Sequence, residues 1–123
     1  MKILKNEIAQ NTKERRIVLK TFYGGTFIDK KLLEEAGKNY PIKLEYYKNI
    51  NEDELVGGKK SKFGISVVKT EYMPENTKVE TKNIKYLSND EEKIEKVLEI
   101  FKKNQVTPIG VEDVISDLYK QVF

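Results

Sequence analysis

Apolar positions along the chain follow two periods, and the switch between them divides it. Tyr40, Ile42, Leu44 and Tyr46 alternate with Pro41, Lys43, Glu45 and Tyr47. Side chains of a strand point to opposite faces in turn, so this segment is predicted as a half-buried strand. Tyr47 then faces outward beside Lys43 and Glu45. Pro41 has no amide donor and belongs at the strand start or on an unpaired edge. Phe63, Ile65 and Val67 repeat the alternation towards Tyr72, Met73 to Thr77 reads as a turn, and Lys78 to Leu87 reads as the antiparallel return. Val79 has the opposite parity to Ile84 and Tyr86, which calls for a bulge near Lys82-Asn83.

Further upstream, Arg15 to Tyr23 is rich in β-branched and aromatic residues and predicts a strand that Gly24-Gly25 ends. Phe27 to Ala36 predicts a short helix with Thr26 or Asp29 as its cap and Gly37 as its stop. Asn49 to Lys62 is polar, contains Gly57-Gly58, and reads as a loop.

From Ser88 the period becomes 3.6. Ser88-Asn89-Asp90-Glu91 fits a capping box, and Ile94, Val97, Leu98 and Phe101 form one apolar stripe. Acids at the helix start and Lys102 and Lys103 at its end complement the helix dipole. A second helix restarts at Thr107-Pro108, or just after Gly110, with Val111, Val114, Ile115, Leu118 and Val122 as its stripe. The expected fold is α+β: an antiparallel sheet of four or five strands packed by a C-terminal helix pair. We read one domain over 1–123, with N-terminal strands and a short helix in 1–60, a β-hairpin in 61–87, and the two-helix end in 88–123.

Composition limits the chemistry more than the fold. The 123 residues include no His and no Cys. That excludes an imidazole base, His- or Cys-held metals, thiol nucleophiles and disulfides. Charged residues make up 35%, but 23 Lys and Arg against 20 Asp and Glu leave only +3, a solubility feature rather than a nucleic-acid field. No apolar run of signal-peptide length follows Met1-Lys2, and none approaches the ~18 residues of a membrane span. A cytoplasmic protein with no membrane partner and no cofactor is expected.

Binding residues are sought among exposed basic and aromatic positions. Gly57-Gly58-Lys59-Lys60-Ser61 lacks the spacing of a phosphate-binding P-loop, so Lys59, Lys60 and Lys62 read first as a solvated loop. An outward Tyr47 beside Lys43 reads first as an ordinary amphipathic surface, then as a protein-interface anchor, then as a base-stacking platform. Arg15 and Arg16 suit bidentate anion or interface contacts, or simply solvate a strand end. Asp113 and Asp117, one helical turn apart, read as the wet face of a helix, and no metal site is assigned.

The expected function is a non-catalytic protein–protein interaction, as a small regulator or inhibitor of a larger bacterial or phage protein. Size, composition and missing catalytic residues fit a product of a mobile element that blocks a host defence nuclease, in the manner of an anti-CRISPR protein. Mimicry of DNA would require a strongly acidic chain. The alternative is a nucleic-acid-binding module using Lys43, Tyr47, Lys59, Lys60 and Lys62.

Overall fold

The computed structural model describes residues 18–51 and 62–121. Four strands form one sheet in the order β1 (Val18–Phe27), β2 (Ile42–Asn51), β3 (Phe63–Tyr72) and β4 (Thr77–Ser88), each antiparallel to the next. A two-turn helix α1 (Lys30–Glu35) joins β1 to β2. Helix α2 (Glu91–Lys103) lies across all four strands. A 3-10 turn at Pro108–Gly110 then leads into α3 (Val111–Leu118), and this C-terminal pair packs on the sheet.

Strand alternation and the helix stripes build one core. Leu44, Tyr46, Ile65 and Val67 on the sheet meet Ile94, Val97, Leu98 and Phe101 of α2 and Val111, Ile115 and Leu118 of α3. Burying side chains of this size contributes about 1.5–3 kcal/mol each, which is what makes α2 and α3 stable as helices. Tyr46 and Phe101 meet edge-on at 6.3 Å. The Tyr46 hydroxyl crosses the core and donates to the Val106 carbonyl at 2.8 Å, in the connection between the two helices. Burial pushes that hydroxyl well above the usual phenol value. Gln105, in the same connection, has a left-handed φ of 51°.

Several sequence expectations need correction. Gly24-Gly25 does not end β1: the strand continues to Phe27, with a register shift between Phe22 and Gly24. Sheet pairing outweighs the weak strand preference of glycine here. Helix α1 is shorter than Phe27–Ala36, its cap is Asp29, whose carboxylate accepts from the Lys31 amide at 2.8 Å, and Gly37 follows at φ 75°. The predicted loop begins late, because β2 runs on to Asn51. The bulge is not at Lys82-Asn83. It lies where Gly64 faces the Lys85–Leu87 stretch, so Val79 stays on the face away from the helices. A Cβ on Gly64 would sit 2.2 Å from the Ile84 carbonyl oxygen, so only glycine lets the strands close here.

The first cap of the helix pair also differs. Asp90 caps α2, accepting from the Glu92 amide at 3.0 Å, while Ser88 ends β4 and accepts from the Asp90 amide. Thr107 makes no side-chain cap, and α3 starts after Gly110. No helix among the described residues is long and apolar enough to cross a membrane.

Candidate functional site

The helices cover one face of the sheet. Residues of opposite parity lie on the other, and the pairing register fixes their neighbours. Phe22 lies opposite Tyr47, Phe27 opposite Lys43, and Thr70 opposite Val79. Phe22, Phe27 and Val79 are 52%, 57% and 58% exposed, and Tyr72 at the same end of the sheet is 39% exposed. These are large apolar side chains in water on one face, Phe22 and Phe27 on edge strand β1 and Val79 on the opposite edge strand β4.

Tyr47 lies beside Phe22 on this surface. Its ring meets Phe22 edge-on at 5.6 Å, and its hydroxyl reaches the Glu45 carboxylate at 3.5 Å. Partial burial and the Glu45 charge both hold the Tyr47 hydroxyl above its ordinary pKa. Lys43 pairs with the same carboxylate at 3.4 Å. Glu45 therefore stands between the lysine and the tyrosine, and the local charge is mixed.

Farther along the same face the character changes. Asn49 donates to the Ser66 hydroxyl at 2.9 Å, Ser66 donates to Asn83, and Asn51 donates to the Lys85 carbonyl at 2.7 Å. Asn49, Asn51 and Ser66 are buried, and the Asn49 Oδ1 has no hydrogen-bond partner among the described residues. Buried polar side chains thus sit beside exposed apolar ones on this face.

The structure does not gather the basic residues expected to act together. Lys43 lies near the start of β2, whereas Lys62 precedes Phe63, which pairs with Ile50 near the end of β2. That separation is on the order of 20 Å along the strand. Lys62 is exposed, with its ammonium 5.7 Å from the Phe63 ring centroid and its amide donating to Asn89. Lys59, Lys60, Arg15 and Arg16 lie outside the described residues, as do Gly57-Gly58 and Val122. Asp113 and Asp117 are exposed on α3, and no group of three or more metal-ligating side chains occurs among the described residues.

Sequence reasoning missed a second cluster, on the helix side near the end of β3. The Glu71 carboxylate, 5% exposed, accepts from the Tyr40 hydroxyl at 2.9 Å and from the Lys38 ammonium at 3.3 Å. Lys69 lies 3.5 Å from Glu71 and 2.8 Å from Glu80. Burial opposes the charge on Glu71, but the Tyr40 and Lys38 bonds and the two ammonium groups outweigh it. The carboxyl titrates below its usual range. No local pattern announces a contact 31 residues apart in the chain. Lys48 makes a similar tie elsewhere, from β2 to Glu91 and Glu95 on α2.

A family model matches residues 26–121, well over half of the chain. The chain belongs to the family of unknown function DUF6514. The DUF6514 match contains Phe27, Lys43, Tyr47, Tyr72 and Val79 and begins after Phe22. Neither the curated proteins nor the solved structures include a match.

Proposed function

We propose that the protein is a non-catalytic docking module that holds a partner protein against the sheet face turned away from the described helices. The observation that supports this reading is the exposed Phe22 packed edge-on against Tyr47, with Phe27, Tyr72 and Val79 exposed on the same face. Aromatic side chains of this kind dominate binding energy when a partner excludes water from them. Tyr47 is already held by Phe22 and Glu45, so it loses little freedom on binding. Lys43 and Glu45 supply a rim of both signs, which suits a protein surface.

Nucleic acid fits this surface less well. A phosphate approaching Lys43 meets the Glu45 carboxylate that already holds it, and the counterion release that drives such binding is reduced. An inhibitor of a bacterial or phage protein, including a defence nuclease, is the narrower form of the docking reading; the partner's identity decides it.

The test is capture of a partner from the native host, followed by titration of that purified partner against variants. Binding should weaken about tenfold or more with Phe22→Glu and with Val79→Glu. Glu112→Gln, on the helix side, should leave it unchanged. Affinity indifferent to Phe22→Glu and Val79→Glu would overturn the reading. So would salt-sensitive binding of labelled RNA or DNA that Lys43→Ala abolishes.

A further inference from the structure

A cavity of about 430 Å³ opens where β1 passes into α1. Its walls are apolar: Phe27, Ile28, Leu33 and Pro41 line it. The volume falls within the roughly 300–1,000 Å³ of small-molecule sites. Lys30, Glu34, Lys38, Asn39 and Tyr40 supply the polar part of the lining.

We propose that this cavity binds a small amphiphile with a hydrocarbon tail and a single carboxylate head, of the medium-chain fatty-acid class. The tail fills the space between Leu33 and Pro41. The head meets the ammonium groups of Lys30 and Lys38. Lys38 has three N–H donors and commits two, to Tyr40 and Glu71, so one is left for a ligand oxygen. Glu71 fixes that ammonium in place from the buried side. Lys30 makes no ion pair among the described residues. Glu34 adds one negative charge at the rim, which favours a singly charged head over a dianionic phosphate. This site does not depend on the docking reading, although Phe27 belongs to both surfaces.

The probes are octanoate, octanol and octylamine, titrated into the full chain by calorimetry and followed by amide chemical shifts. Octanoate should bind at least about tenfold tighter than octanol, with shifts centred on Ile28, Leu33 and Tyr40. Lys30→Gln, at an exposed position, should weaken octanoate severalfold and leave octanol unchanged. Glu34→Gln should tighten octanoate. Leu33→Trp, which fills the cavity, should abolish binding of all three probes. Failure of the folded wild-type protein to bind octanoate overturns the proposal, as does equal or tighter binding of octanol or octylamine. Octanoate binding insensitive to both Lys30→Gln and Glu34→Gln overturns it as well.

Discussion

The two faces of the sheet come from the same four strands and solve opposite problems. On the helix side, Ile42, Leu44, Tyr46, Ile65 and Val67 are dry, and Lys48, Lys69 and Glu71, which share this side, are each tied by an ion pair. On the other side, Phe22, Phe27 and Val79 are exposed with no described element over them, while Asn49 and Ser66 are buried. Polarity and burial agree on the first face and run against each other on part of the second. Under the docking proposal, that mismatch marks the second face as the surface a partner covers.

The sharpest way to break this contrast is to remove the centre of the covered side. Phe101→Ala should cost about 4 kcal/mol, read from urea unfolding followed by far-UV circular dichroism. A loss under 1 kcal/mol would mean that the helix side is not the core. Gly64→Ala follows, with a loss of about 3 kcal/mol, because the new methyl group runs into the Ile84 carbonyl and the bulge must open. Retained stability there would show that β3 and β4 can separate without penalty.

Glu71 comes next and makes the comparison pH-dependent. Its folded-state pKa is depressed, so its contribution is complete above the unfolded carboxylate value of about 4.3 and is lost as pH falls through the lower folded value. Glu71→Gln should remove about 1.5 kcal/mol at neutral pH, the scale of a hydrogen bond to a charged group, and should flatten the acid side of the stability curve. An unchanged acid limb would place the titration elsewhere.

Helix capping gives a smaller effect. Asp90→Ala should lower stability by about 1 kcal/mol and Ser88→Ala by about half of that, since Asp90 holds the helix amide and Ser88 only the Asp90 amide. The reverse order would restore Ser88 as the cap. The smallest change belongs to the open side: Phe22→Ser should stay within about 0.5 kcal/mol of wild type while weakening partner binding. A large loss of stability would mean that Phe22 serves the fold.

Much of the covered side was legible because its causes are local. Ile42, Leu44 and Tyr46 alternate, and Ile94, Val97, Leu98 and Phe101 recur at helical spacing, so each element announces its buried face alone. What escaped depends on partners distant in the chain. Gly24-Gly25 reads as a break until pairing with Glu45 and Tyr46 is known. The bulge position is set by how closely Gly64 meets the Ile84 and Lys85 carbonyls, and no residue in β4 marks it. Ser88 and Asp90 are both good caps by residue type, and the choice turns on where β4 ends. Tyr47 was found by parity, but its setting by Phe22 and Glu45 required the β1–β2 register. The Lys38–Tyr40–Glu71 cluster had no signal in the sequence for the same reason.

One hydroxyl also has a wider consequence. Packed hydrocarbon tolerates a sideways slip of a fraction of an ångström, whereas a directed bond such as that from Tyr46 to the Val106 carbonyl weakens steeply when its angle opens. The helical layer is therefore located on the sheet as well as attached to it. Swaps of similar volume among the interior aliphatic residues can then drift without rotating that layer, and the geometry presented on the far side of the strands is held steady while the interior changes.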